Sequence, residues 1–160
     1  IENIEEGSRV IDVGCGSGCV GVTVASLFKN FKVTGIDISK KAVKTSSLNA
    51  NKLNVTNINI IEKDFFEMMP QKYDIIVSNP PYIDSQDLHL KDLTHEPTSA
   101  LVASEGGLGD FKVISQQASL KLQKGGTLIF EHGYQQAEEV SSIMKKNGFN
   151  NVESFNISLK

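Results

Sequence analysis

The chain has 160 residues, 39% hydrophobic and 22% charged, which suits one domain with a sizeable core and excludes a disordered or fibrous protein. A net charge of −3 argues against a partner held by phosphate neutralisation, and no apolar run approaches the roughly 20 residues of a membrane span. Cys15 and Cys19 stand in CGSGC, a spacing that is neither a CxxC redox pair nor half of a four-cysteine zinc site, so a reduced, cytosolic setting is expected. The chain opens on Ile1 rather than methionine and is expected to be a piece of a longer protein.

RVIDV at 9–13 predicts a short buried strand, and CVGVTVASLFK at 19–29 a helix whose small residues suit close packing on a sheet. KVTGID at 32–37 is a second strand, and Ser39 an N-cap for a helix over 40–54. Residues 57–65 and 73–77 read as third and fourth strands. The stretch 78–109 has no period and holds three of the four prolines; a segment of that length in a compact domain is usually functional. A helix follows over 110–123, stopped by Gly125 and Gly126. A strand at 127–132, a helix at 136–148 and a sixth strand at 151–159 complete the pattern. Strand–helix–strand alternation predicts an α/β fold, a Rossmann-like doubly wound sheet, mostly parallel, with helices on both faces. In such sheets ligands bind beyond the carboxyl ends of the strands, near the topological switch point.

DVGCGSG at 12–18 closes the first strand. Glycines there let the backbone turn tightly and let a ligand approach where a Cβ would collide. A dinucleotide frame, GxGxxG, accommodates Gly14 and Gly16 but meets Cys19 at its third position. A shifted frame of Gly16, Gly18 and Gly21 begins two residues late, whereas GxGxG preceded by Asp12 fits without adjustment. Asp37, ending the second strand, can accept hydrogen bonds from both hydroxyls of an adenosine ribose. These features predict an adenosine-type cofactor and leave nicotinamide and sulfonium forms open. Asp64, ending the third strand, is either a contact for the adenine amino group or an exposed strand-end acid.

SNPPY at 78–82 follows the fourth strand. Pro80 and Pro81 have no backbone N–H, and proline disfavours helical geometry in the residue before it. The segment therefore offers carbonyl acceptors in an extended run. The Asn79 side-chain oxygen and the Pro80 carbonyl form an acceptor pair suited to a planar –NH2, a carboxamide or a base amine. Accepting both hydrogens stabilises the positive charge that grows on nitrogen as it attacks an electrophilic methyl. Tyr82 can lie against the planar group and near a sulfonium. The bland alternative is a plain turn. Hydride transfer has no use for such a pair, so the expected cofactor is S-adenosyl-L-methionine, with S-adenosyl-L-homocysteine as product.

Taken together, DVGCGSG, GIDIS, SNPPYI, HEPTSALVASEGGLGDF and FEHG resemble the protein-(glutamine) methyltransferases that act on peptide-chain release factors, over about residues 7–155. The resemblance implies one methyltransferase catalytic domain over 1–160, methylating the glutamine of the GGQ tripeptide in class I release factors. It implies a cofactor loop of Asp12, Gly14, Cys15, Gly16 and Gly18, with Asp37 and Ile38 at the ribose and Asp64 and Phe65 at the adenine. Asn79, Pro80, Pro81 and Tyr82 are the implied catalytic residues, with Asn79 also implied at the cofactor. Glu96 and Pro97 are expected to shape a covering loop, and Glu131 and His132 to be structural. Family members also carry an N-terminal helical domain and a last strand with an arginine-valine pair, neither of which the 160 residues match. The implied setting is the bacterial cytoplasm or an organellar matrix, with a release factor as partner and no membrane.

Three rival readings remain. An adenine-amino DNA or RNA methyltransferase shares NPPY but must reach a flipped base, usually with a basic groove. A noncatalytic S-adenosylmethionine-binding module keeps only the loop. A metal site from His89, His95 and Glu96 matches no standard ligand spacing, so no metal is expected.

Overall fold

The structure, a computed structural model, describes residues 7–68, 71–84 and 101–156. In chain order the elements are β1 (Arg9–Val13), α1 (Cys19–Leu27), β2 (Lys32–Asp37), α2 (Lys40–Lys52), β3 (Ile58–Glu62), a 3-10 turn (Phe65–Glu67) and β4 (Tyr73–Ser78). There follow β5 (Ile83–Asp84), β6 (Val102–Ala103), α3 (Ser104–Gly107), α4 (Gly109–Lys121), β7 (Leu122–Phe130) and α5 (Ala137–Lys146). They fall into two compact units, Ile1–Asn79 with Leu120–Phe130, and Pro80–Ser119 with Glu131–Lys160.

The first unit holds a five-stranded sheet in the order β3-β2-β1-β4-β7, every neighbouring pair parallel. β1 is central because Val10, Ile11 and Val13 are apolar on both faces, as a parallel strand covered on both sides requires. Val10, Val33 and Ile75 from three adjacent strands pack with Val22 and Ala25 of α1, Phe31, and Ala50 and Val55 at the end of α2. Ser39 caps α2, its Oγ accepting from the Ala42 N–H at 3.4 Å, as its sequence position predicts. The chain adds β2 and β3 on one side of β1, then returns to place β4 on the other. That reversal puts the switch point between β1 and β4.

β7 starts earlier than expected and is irregular. Leu122 pairs with Tyr73, and regular register resumes only at Thr127 opposite Ile75. The Gly125–Gly126 pair, expected to stop the helix, lies instead inside the strand as a detour, α4 having ended at Lys121.

In the second unit β5 and β6 form a short parallel pair. Phe111, Ile114 and Ala118 line one buried face of α4 at helical spacing, and Val140 and Ile143 do the same on α5. The Asn147 side chain, just past α5, donates to Ser115 Oγ at 2.8 Å and so ties the end of α5 to α4.

The sixth strand is a correction. Residues 151–156 carry no strand, and 157–159 lie outside the described residues. Apolar residues at 155, 157 and 159 suggested β structure, but a strand exists only where its N–H and C=O groups meet a ladder. Here the segment is mostly exposed, Phe155 included.

Candidate functional site

The switch point is stitched at the strand ends. Val13 pairs with Ser78, and the Ser78 hydroxyl donates to the Val13 carbonyl at 2.8 Å. The glycine loop leaves β1 at this point, and Asn79 leaves β4 beside it. Asn79 is exposed, whereas Ser78 is fully buried.

Loop geometry explains the glycines. Gly14 and Gly16 have φ of +70° and +54°, a backbone region that side-chain-bearing residues rarely adopt. A Cβ on Gly14 would meet nothing within 4 Å, so the main chain there faces open space that a ligand can enter. Gly18 has a different reason: its Cβ would lie 2.8 Å from Val22 Cγ2 and 2.9 Å from Ser46 Cβ. The loop therefore sits directly on α2. Asn49 of α2 reinforces that seat by donating to the Ser17 carbonyl at 2.9 Å.

Asp37 organises the cradle. One carboxylate oxygen accepts the Gly16 N–H at 2.9 Å and the other the Ser39 N–H at 2.8 Å. A carboxylate has about four acceptor positions, so both oxygens retain capacity for hydroxyl donors. Ile38, the next residue, is 77% exposed and offers an apolar surface at the same edge.

Asp12 has an internal role. It is 2% exposed and accepts the Gly21 N–H at 2.8 Å, fixing the first turn of α1 against the end of β1. Burial pushes its carboxyl up to about 6; the Gly21 bond opposes the rise and the nearby Asp37 charge adds to it. Gly21 is required here because a Cβ would stand 2.9 Å from the Asp12 oxygen.

Cys15 is likewise turned inward. Its N–H bonds to the Ile36 carbonyl, its carbonyl accepts from Gly18, and its thiol lies 4.0 Å from Ser46 Oγ. Burial raises that thiol to about 11, which makes it inert packing. Asp64 lies beyond β3, next to the Lys63 N–H that bonds to the Asp37 carbonyl. Its Oδ1 caps the 3-10 turn by accepting from Phe66 N–H at 2.9 Å. Phe65 is only 4% exposed, with the Lys121 ammonium 5.5 Å from its ring centroid, so its ring serves the core.

In the second unit Pro80 is buried and Pro81 and Tyr82 are half-buried; the peptide bonds are trans. The Tyr82 hydroxyl stands 3.5 Å from Glu131 Oε1. The Tyr82 carbonyl accepts from the Gln136 side-chain amide at 2.9 Å, and Gln136 Oε1 in turn accepts the Gly133 N–H at 2.9 Å.

The structure thus joins Asp12, Gly14, Cys15, Gly16, Gly18, Asp37 and Asn79 around the ends of β1, β2 and β4. Sequence reasoning missed Ser46, Ser78 and Gln136. Asn49 had a faint signal, since asparagine is a poor residue for a helix interior. Glu96, Pro97, His89 and His95 lie outside the described residues, and no cluster of three metal-ligating side chains occurs among the described ones.

A family model described as "Methyltransferase domain" matches residues 4–158. The chain is 40% identical over 149 residues to the release factor glutamine methyltransferase of Salmonella typhimurium, covering 91% of this chain and 54% of that protein. It is 38% identical over 153 residues to the protein of the same name from Escherichia coli K12, covering 94% and 55%. The chain therefore spans about half the length of these curated relatives. Among solved structures, ribosomal protein L11 methylase from Lactobacillus delbrueckii subsp. bulgaricus superposes with a TM-score of 0.67 at 19% identity, covering 97% of this chain and 68% of that one. Coclaurine N-methyltransferase superposes with a TM-score of 0.58 at 22% identity, covering 81% and 32%. These two likenesses are of fold.

Proposed function

This chain belongs to the methyltransferase-domain family, and from that premise we propose that it methylates the side-chain amide nitrogen of the glutamine in the GGQ tripeptide of a peptide-chain release factor, with S-adenosyl-L-methionine as donor. The observation that carries the reading is the placement of Asn79. It is exposed, and it follows a strand end that Ser78 stitches to the start of an open glycine loop. The naming of relatives at 36–40% identity supports the substrate.

The residues fit the donor. Space in front of Gly14 admits a ligand against the main chain, and Asp37, held by two N–H groups, keeps lone pairs for the ribose hydroxyls. Ile38 gives the adenosine an apolar neighbour, while Asp12, Cys15 and Gly18 hold the loop in shape. Asp64, at the end of β3, is assigned to the adenine amino group, its Oδ1 already accepting the Phe66 N–H; the buried Phe65 ring leaves little face for the adenine.

The bound cofactor supplies an electrophilic methyl on a sulfonium. The chain's own task is to bind and orient a poor nucleophile. Asn79 Oδ1 and the Pro80 carbonyl, consecutive in the chain, accept the two hydrogens of the glutamine amide. Both acceptors become more favourable as positive charge develops on the attacking nitrogen. The nitrogen then yields one proton to water, so no basic side chain is required. Tyr82 contributes an aromatic face for the planar amide.

The reaction belongs in a bacterial cytoplasm, where release factors work. No helix among the described residues is long and apolar enough to cross a membrane. The test is transfer of labelled methyl to a class I release factor and to an unmethylated DNA duplex in one tube. Label in the release factor, lost when the GGQ glutamine is changed, is the expected result. Label in the DNA overturns the substrate.

A further inference from the structure

We propose that Gln136 is a positioning residue for methyl transfer: by taking up the Tyr82 carbonyl, it fixes which carbonyls of the proline segment remain for substrate. This rests on the methyltransferase reading above and deepens it.

The segment 80–82 is rich in acceptors and poor in donors, because two of its residues lack N–H groups. Such a run has nothing within itself to hold its orientation, and a rotation of one peptide exchanges the carbonyl offered to substrate for another. The structure meets this at Tyr82. Gln136 Nε2 donates to the Tyr82 carbonyl at 2.9 Å and approaches the Gly107 carbonyl at 3.5 Å. Its Oε1 accepts the Gly133 N–H at 2.9 Å, and its own N–H bonds to the Gly133 carbonyl at 3.0 Å. The amide is thus oriented at both ends and cannot flip without losing two bonds.

Space around the same carbonyl is closed. A Cβ on Gly107 would lie 2.3 Å from the Tyr82 oxygen and 2.7 Å from Gln136 Nε2, and one on Gly133 would lie 2.9 Å from Gln136 Oε1. Two glycines leave room for one primary amide. On the far side Ile83 N–H bonds to the Leu101 carbonyl at 2.9 Å, starting the β5–β6 pair. Tyr82 is held from both directions, so its carbonyl is taken out of the set that the proline segment offers to a substrate amide. A nearby primary amide is otherwise a competitor for such acceptors; here it is spent on the wrong carbonyl by design of the turn.

The experiment compares the protein as its gene encodes it with Gln136→Met, which keeps length but neither bond, and Gln136→Glu, which keeps the acceptor for Gly133 and loses the donor to Tyr82. Labelled transfer is measured with S-adenosylhomocysteine affinity and the melting temperature alongside. The expected result is a fall in kcat on the order of tenfold or more in both variants, with cofactor affinity unchanged. A purely structural role lowers stability in both and leaves kcat of the folded fraction intact, which overturns the proposal. If Gln136→Met fails to fold, Gln136→Glu decides. If both fail to fold, the role of Gln136 is structural and the proposal is overturned. Absence of transfer to any release factor by the unsubstituted protein strikes the functional reading instead.

Discussion

Replacing Asn79 by alanine removes one acceptor for the substrate amide and leaves the glycine-loop bonds untouched. Labelled transfer should fall on the order of 100-fold, while S-adenosylhomocysteine affinity stays within about twofold by calorimetry. Asp37→Ala should act the other way, weakening the cofactor at least tenfold, because Gly16 and Ser39 lose their acceptor as well as the ribose. Asp12 gives a pH signature. Its folded-state value of about 6 lies above the ordinary 3.8, so the folded chain holds that proton more tightly. Its contribution favours folding below about pH 4 and is lost as pH rises through about 6, on the order of 3 kcal/mol. Urea midpoints of the unsubstituted protein should therefore drop against those of Asp12→Asn across that window; parallel curves would refute it. Gly14, Gly16 and Asp37 were legible because positive φ and a strand-end carboxylate restrict residue type. Ser78 and Gln136 were not, since a serine ending a strand or a glutamine opening a helix is unremarkable until a carbonyl is found opposite it.

At the scale of elements, two glycine and serine positions hold the machinery in register. Ser78→Ala removes the bond to the Val13 carbonyl and should cost about 1 kcal/mol in chemical denaturation while lowering transfer disproportionately. Gly107 has φ +84° and no room for a Cβ, so Gly107→Ala should lower the melting temperature more than any exposed glycine replacement, such as one at Gly7. Strands β1, β2 and β4 could be read nearly to the residue because buried parallel strands are continuous apolar runs. Helices frayed by two residues or fewer at most ends, as alternation alone cannot say where the last carbonyl is satisfied. The sixth strand failed for a related reason: alternation in 151–159 indicates a half-buried ribbon but says nothing of a partner. β7 begins before its expected start because a Gly-Gly pair usually ends an element, and here it only interrupts one.

At the scale of the whole molecule, strand–helix–strand alternation implied a parallel, doubly wound sheet but not its order, β3-β2-β1-β4-β7, which places the switch point between β1 and β4. The division into two compact units was not implied either, because it depends on long-range packing that alternation does not encode. Substrate choice is also a whole-molecule property. With a net charge of −3 the protein should show a shallow salt dependence for binding, and a steep log-linear loss of affinity for duplex DNA would restore the nucleic-acid reading. The same sheet order has a consequence in time. β1 is the middle strand of the sheet, yet its bond to Ser78 spans 65 residues of sequence. At about 5–20 residues per second, the ribosome delivers β4 roughly 3–13 s after β1. During that interval the edge of β1 that will receive β4 has no ladder partner, while its other edge can already pair with β2.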